Sequence, residues 1–281
     1  MKINKSKTVY EVCIVIVIVL IALVLMRCFL ISIEYYTAPP KKYTLGLLAI
    51  VKNEDMVIDE WIQHYLWQGV EHIYIIDNGS TDATKQRLEP YIQKQIVSYF
   101  LLDEQHQQTK HYNFVYDEVA KNECNWLIVC DADEYMYNRR KGNTLMSFVK
   151  YVDAFEVSHI VLSWKMFGSS GHDLQPAEIR KSFVHRKYEI AYNTKCIVNT
   201  ALTLSLNVHS HEFIANKKGI INPPELALNH YAIMSREYFE KVKMSRGDVS
   251  ASAIDNFRNW QYFSEYDRNE FHDDELSKLL V

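Results

Sequence analysis

Short apolar runs alternate with amphipathic stretches through residues 45–130, and few folds are compatible with that alternation. Residues 45–51 are a continuous apolar run, as a strand buried on both faces of a parallel sheet requires. Residues 57–66 then repeat apolar side chains at helical spacing, and Gly69 can end this helix. Further strands are predicted at 70–76, 96–100 and 126–130, with helices at 83–91 and 109–124. The pattern predicts an α/β fold with a doubly wound, mostly parallel sheet.

The alternation loosens after residue 140. A helix is predicted at 144–152, a strand at 159–164, a Gly/Ser turn at 168–171, antiparallel strands as far as 213, and a final helix at 235–244. We expect this half to form a smaller mixed region that shapes an acceptor pocket.

The N-terminal residues differ in composition from the rest. Residues 12–33 are mostly apolar and carry no charge apart from Arg27, and as a helix they would span about 33 Å, enough for the ~30 Å core of a bilayer. Lysines at positions 2, 5 and 7 favour a cytosolic N-terminus. A cleaved signal peptide is the alternative, but no small-x-small site follows the apolar run. We therefore expect a single-pass type II transmembrane signal anchor at 12–33, with a cytosolic tail at 1–11 and a short stalk at 34–42.

The composition excludes two other classes of protein. The 31 Lys and Arg residues against 35 Asp and Glu give a net charge of −4, so no nucleic-acid partner is expected. Hydrophobic residues make up 48% of the chain and only 8 Gly and 6 Pro are present, which excludes a disordered or fibrous protein. Residues 43–281 are enough for one large α/β domain.

Polar clusters follow three of the predicted strands: Lys52-Asn53-Glu54, Asp77-Asn78-Gly79-Ser80 and Asp131-Ala132-Asp133. Ligands of open α/β sheets bind beyond the carboxyl ends of the strands. Two carboxylates at the exit of a strand can face one Mg²⁺ or Mn²⁺ ion, and Asp77, Asn78 and Ser80 can face a nucleobase. Asn78-Gly79-Ser80 is also a glycosylation sequon, which we expect to be unmodified because a glycan would obstruct this pocket.

These clusters, in this order, resemble the signature regions of glycosyltransferases with the GT-A fold. The chain is similar to glycosyltransferase family 92 and the family 2-like group, and further matching motifs are Phe167–His172, Lys195–Val198, Asn229–Ile233 and Tyr238–Gly247. The resemblance implies a metal-dependent, inverting transferase that moves a hexose from a nucleotide-sugar donor to a glycan hydroxyl. The donor is expected to be UDP-linked, and galactose is the sugar that the family suggests.

The resemblance also assigns residues to this chemistry. It places Asn53, Glu54 and Asp77 at the nucleoside, Asp131 near the ribose and the metal, and Asp133 on the metal, which would be Mn²⁺ or Mg²⁺. A histidine often completes such a metal shell; His230 is the first choice, with His209 and His211 as alternatives. Lys241 and Arg246 are expected to neutralise the diphosphate. Asp173, Glu212 and Glu178 are candidates for the base that deprotonates the acceptor hydroxyl.

Two other functions stay open at this point. One is a catalytically degenerate domain that binds glycans or a protein partner, and the other is a metal-dependent phosphohydrolase with Asp131 or Asp133 as the nucleophile. The signal anchor together with the family resemblance suggests a Golgi location with a lumenal catalytic domain. The acidic segment 267–275 is predicted to be a solvated surface.

Overall fold

The computed structural model describes residues 14–28, 40–207, 211–214, 218–246 and 258–280. Two units are distinguished along the chain, Met1–Pro40 and Lys41–Val281.

The first unit contains one described helix, α1, at 14–28, whose side chains are exposed. Among the described residues, no helix combines the length and the apolar character needed to cross a membrane. The remaining residues of the predicted anchor, 12–13 and 29–33, lie outside the described residues, so the anchor stays a prediction.

The first half of the second unit follows the predicted alternation closely. Its strands are β1 (Tyr43–Val51), β2 (His72–Asp77), β3 (Val97–Leu101) and β4 (Cys124–Val129). Its helices are α2 (Ile58–Trp67), α3 (Thr84–Gln93), α4 (Gln108–Val115) and the short α5 (Lys121–Glu123), with a π-helical turn at Tyr116–Ala120 between the last two. All four strands are parallel and lie in the order β3-β2-β1-β4.

The second half supplies shorter elements. Its strands are β5 (Glu134–Asn138), β6 (Val157–Met166), β7 (His185–Arg186), β8 (Thr194–Asn199), β9 (Thr203–Ser205), β10 (Glu212–Phe213), β11 (Lys218–Ile221), β12 (Leu226–His230) and β13 (Phe271–His272). Its helices are α6 (Leu145–Val152), α7 (Ile179–Ser182), α8 (Arg236–Tyr238), α9 (Trp260–Tyr266) and α10 (Glu275–Leu279). A π-helical turn at Phe239–Lys243 follows α8 directly.

This second half continues the central sheet, contrary to the predicted separation into a smaller mixed region. The strand order runs on as β4-β8-β6-β12-β5, and β11 also pairs with β6. β8 is antiparallel to both of its neighbours, and β5 is antiparallel to β12. The fold is therefore mixed α/β with one large sheet.

Both faces of the sheet are buried, which explains the uninterrupted apolar run of β1. Alternate side chains of β1 enter two different core clusters: Leu45 and Leu47 face one, and Leu48 faces the other. Helix α2 covers the first face with Trp61, and α4 covers the second with Tyr112. The rigid sheet leaves the loops beyond its strand ends as the place for a functional site.

Candidate functional site

The structure brings the three predicted polar loops together at one edge of the sheet. β2, β1 and β4 are neighbours: the last residues of β1 and β2, Val51 and Asp77, pair with each other, and β4 ends at Val129, opposite Leu48 of β1. Because the three strands are parallel, the residues that follow them meet at the same edge.

The loops after β1 and β2 are tied to each other by hydrogen bonds. The backbone N–H of Asn53, which has a φ of 54°, donates to Oγ of Ser80 at 2.9 Å. Oδ1 of Asn53 accepts from the N–H of Thr81 at 2.8 Å. Asp77 is buried and accepts from the N–H of Ser80 at 2.7 Å and from the hydroxyl of Tyr99 at 2.8 Å. Asn53, Asp77 and Ser80 thus fix the shape of this edge through their own contacts.

Asn78 is buried beside this network. Its Nδ2 donates to the carbonyl oxygens of Leu102 at 2.8 Å and Glu104 at 3.1 Å. A glycan on Nδ2 would replace one of these N–H groups, so the geometry agrees with the expectation that the sequon is unmodified.

A group of three potential metal ligands lies after β4. Asp133, Glu134 and His230 are buried, and one ligand atom from each lies within 4.8 Å of the others. Nε2 of His230 is 3.5 Å from Oδ1 of Asp133. The structure brings together Asp133 and His230, two of the predicted metal ligands; the third member of this group is Glu134, and the predicted Asp131 lies outside it.

Strand pairing and aromatic contacts position these three residues. His230 lies opposite Glu134 in the β12–β5 register, and the N–H of Tyr231 donates to the Asp133 carbonyl at 2.9 Å. The Trp61 indole donates to the Glu134 carbonyl at 3.1 Å, and the ring of Trp164 packs 4.2 Å from the His230 ring. The group is therefore held by the sheet and by the face of α2 that packs on it.

Asp131 is engaged with a buried lysine of β8. Nζ of Lys195 donates to Oδ2 of Asp131 at 2.9 Å and lies 3.7 Å from Oε2 of Glu134. Burial raises the pKa of Glu134 well above its usual range. The Lys195 ammonium lowers this pKa, and the negative charges of Asp131 and Asp133 raise it further. A cation bound to this group would favour the ionised carboxylate.

Two cations from the segment after β12 reach the same edge. Nζ of Lys243 lies 2.5 Å from Oδ2 of Asp133, and both side chains are buried. Burial alone would raise the pKa of Asp133, but the Lys243 ammonium and His230 hold it well below its usual range. Arg246 pairs with Oε1 of Glu54 at 2.7 Å, and the Tyr238 hydroxyl donates to Oε2 at 2.6 Å.

The other predicted residues lie apart from this group. Lys241 is exposed and pairs with Glu237 at 2.7 Å. Asp173 has an 85% exposed side chain, 3.6 Å from Arg236. Glu212, in β10, is exposed and accepts a hydrogen bond from Ser205.

Of the two alternative histidines, His209 and His211, the structure describes only His211. His211 accepts from the N–H of Asn207 at 3.0 Å and is not part of the metal-capable group. His209 lies outside the described residues.

Sequence comparison identifies the family to which this site belongs. The model of "Glycosyltransferase family 92" matches residues 49–277, which include all three loops and His230. The chain belongs to glycosyltransferase family 92. This confirms the resemblance seen in the sequence motifs.

The relatives are distant and longer than this chain. A glycosyltransferase family 92 protein of Ricinus communis is 26% identical over 235 residues, which cover 78% of this chain and 39% of the relative. One of Arabidopsis thaliana is 27% identical over 228 residues, which cover 73% and 38%. The chain thus spans about two fifths of the length of these relatives. Among solved structures, S. aureus TarS 1-349 in complex with UDP matches with a TM-score of 0.40 and 19% identity, over 56% of this chain and 47% of that one.

The residues of this family 92 chain suit the divalent ion that the resemblance implies. Asp133 Oδ1 and Glu134 Oε1 are buried and have no hydrogen-bond partner among the described residues, and Nε2 of His230 faces Asp133 Oδ1 at 3.5 Å. Buried polar atoms without partners are uncommon, and two carboxylates with an imidazole are a donor set that Mn²⁺ accepts. The chemistry and the geometry of the group therefore fit such an ion.

Proposed function

We propose that this chain is a hexosyltransferase that uses a nucleotide-sugar donor, UDP-linked, and transfers the sugar to a glycan hydroxyl with inversion and with the help of a divalent ion. Galactose is the first sugar to test. The observation that carries the proposal is the buried Asp133–Glu134–His230 group, at the carboxyl edge of the sheet of a family 92 chain. Family membership supports sugar transfer, and the group supports a metal-assisted form of it.

In this proposal Asp133, Glu134 and His230 hold Mn²⁺ or Mg²⁺. The ion would neutralise negative charge that develops on the departing nucleoside diphosphate. The chain's own residues keep the ligand set in place: the β12–β5 pairing fixes His230 against Glu134, and burial excludes water from the carboxylates. Asp131, with its side chain 35% exposed, stays at the edge of the group beside Lys195.

The donor would lie over the loops after β1 and β2. Asn53, Asp77 and Ser80 already hold each other by hydrogen bonds, so in this proposal they act mainly by presenting a rigid edge to the nucleoside. In this proposal Arg246, which pairs with Glu54 at the same edge, is the cation that neutralises the diphosphate. Asp173, Glu212 and Glu178 remain the candidate bases that would take the proton from the acceptor hydroxyl.

The proposal is tested by turnover with the full chain. UDP-galactose, UDP-glucose, UDP-N-acetylglucosamine and GDP-mannose are each incubated with an oligosaccharide panel and MnCl₂. Released nucleoside diphosphate and sugar added to the acceptor are both measured. We expect one donor to give both products in equal amounts. Asp133→Asn should lower the rate by about 10²-fold or more, whereas Asp117→Asn, an exposed aspartate on the π-helical turn after α4, should leave it unchanged.

The outcomes separate the alternatives raised by the sequence. Glycan binding without turnover of any donor would indicate a degenerate domain. Release of inorganic phosphate without sugar transfer would indicate a phosphohydrolase. Transfer that proceeds equally well in Asp133→Asn would refute the metal part of the proposal.

The anchor at 12–33 and a lumenal catalytic domain in the Golgi belong to the same proposal. Protease protection of the full chain in sealed membrane vesicles would test them. Digestion of the catalytic domain without detergent would argue against a lumenal position.

A further inference from the structure

Lys243 occupies one oxygen of a residue that belongs to the metal-capable group. Its Nζ lies 2.5 Å from Oδ2 of Asp133, and the two side chains are 2% and 8% exposed. The other oxygen, Oδ1, faces His230 at 3.5 Å. The carboxylate of Asp133 thus lies between the Lys243 ammonium and the His230 imidazole.

The Lys243 ammonium and a bound metal ion would compete for the carboxylate of Asp133. The ammonium carries one positive charge and a bound Mn²⁺ or Mg²⁺ carries two, so both on one buried carboxylate would repel each other across a few ångströms of weakly screened protein. The carboxylate supplies only one negative charge. A divalent ion therefore binds more favourably when the ammonium moves away from Asp133.

Apart from Asp133, the groups around Lys243 offer its ammonium only weak contacts. Its ring neighbour is Tyr238, whose centroid lies 5.6 Å from Nζ. The nearby carboxylate of Glu54 is already paired with Arg246 at 2.7 Å and bonded to the hydroxyl of Tyr238. Among the described residues, Asp133 is thus the carboxylate that accepts the hydrogen bond of the Lys243 ammonium.

We propose that Lys243 is an internal counter-cation that holds Asp133 while no metal is bound and that a divalent ion binds by displacing it. The inference rests on the metal site of the proposed function. Lys243 acts through Asp133 and is a positioning residue. It stabilises the empty site, because a buried carboxylate without a partner is costly, and it weakens metal binding by the same interaction.

Metal binding to the full chain tests this directly, without substrate. Mn²⁺ affinity is measured by calorimetry, and thermal unfolding is followed with and without MnCl₂, for wild type, Lys243→Gln and Lys243→Met. The matched control is Lys241→Gln, two residues earlier, whose exposed ammonium pairs with Glu237. We expect Lys243→Gln to bind Mn²⁺ about tenfold more tightly than wild type. Its Tm should be lower than that of wild type without metal and should rise more when Mn²⁺ is added, while Lys241→Gln should match wild type.

The Mn²⁺ affinities distinguish failure of the counter-cation role from failure of the metal site itself. If wild type binds Mn²⁺ and Lys243→Gln binds it no more tightly, the counter-cation role is refuted and the metal site stands. If no protein binds Mn²⁺, the metal part of the proposed function fails, and this inference fails with it. Variants that fold only when Mn²⁺ is present would support displacement. Variants that fold under neither condition would overturn it, because Lys243 would then be a structural residue that no ion can replace.

Discussion

Arg246 forms an ion pair with Glu54, with 2.7 Å between Nη1 and Oε1. The side chains are 17% and 3% exposed, and the Tyr238 hydroxyl donates to the other oxygen of Glu54 at 2.6 Å. The pair fastens the segment after β12 to the loop after β1. The two cations of that segment, Lys243 and Arg246, therefore reach the site through different carboxylates.

Removal of Arg246 should expose the cost of a buried, unpaired carboxylate. We expect Arg246→Met to lower the free energy of unfolding by about 3 kcal/mol, because Glu54 would lose its counter-charge but stay buried. Urea denaturation of the full chain measures this. The double variant Glu54→Gln with Arg246→Met should lose clearly less than the sum of the two single variants. Additive losses would show that the two side chains are not coupled.

His64 should make the stability depend on pH. It is buried in α2, Nε2 lies 2.7 Å from the Met136 carbonyl, and burial, with a smaller contribution from the Arg180 charge, lowers the pKa of His64 from about 6.5 to about 3. Between these values the unfolded chain binds more protons than the folded one, so stability is lost as the pH falls. From pH 7 to pH 5 we expect wild type to lose roughly 2 kcal/mol more than His64→Gln, as measured by urea denaturation at each pH. Parallel pH profiles would contradict the prediction.

Asn78 should matter for stability whether or not it contacts a ligand. Its Nδ2 donates to two loop carbonyls, so Asn78→Ala should lower the free energy of unfolding by about 2 kcal/mol. The exposed Asn143, changed to Ala, is the matched control and should have little effect. Equal stability of the two variants would mean that the Asn78 contacts contribute nothing in solution.

The parallel half of the fold could be predicted from sequence because its strands are buried on both faces. An apolar run such as 45–51 predicts a buried strand even when the neighbouring strands are not known. The observed strand, Tyr43–Val51, begins only two residues earlier than the predicted one. The polar residues after each run then identified the edge at which the site lies. The order of the later strands had no such local signal, since β8 enters the sheet between β4 and β6.

The site residues that sequence reasoning missed depend on that later topology. Glu134 is buried because β5 pairs with β12, and Lys195 reaches Asp131 because β8 lies beside β4. Lys243 did have a signal. Val242 and Lys243 follow Phe239 by three and four residues, so the three side chains lie on the same buried face of the segment, whereas Lys241 is exposed.

The acidic segment 267–275 is only in part the solvated surface that its charges predict, since Glu270 and His272 are exposed but Asp273 is not. The Asp273 side chain is only 7% exposed, and its Oδ2 lies 2.6 Å from Arg186 Nε and 3.2 Å from Lys165 Nζ. Lys165 also pairs with Glu275 at 2.7 Å. The basic residues that pair with this segment, Lys165 and Arg186, lie in β6 and β7, far away in sequence. The charge pattern of the segment alone therefore could not show that the segment packs against them.

Asp273 should therefore contribute more to stability than its neighbour Asp274, whose side chain is more accessible. Burial alone would raise the pKa of Asp273, but Lys165 and Arg186 lower it below the usual range, so its contribution is present at neutral pH and is lost on acidification below the normal aspartate pKa. We expect Asp273→Asn to reduce the free energy of unfolding at pH 7 by about 3 kcal/mol, because the buried Arg186 loses its carboxylate partner and the buried Lys165 keeps only Glu275. Asp274→Asn, next in sequence and paired at the surface with Lys278, should match wild type. Urea denaturation at pH 7 and near pH 3 measures both effects, and the gap between Asp273→Asn and wild type should narrow at the lower pH. A gap of the same size at both values would show that the carboxylate charge is not what holds this segment to β6 and β7.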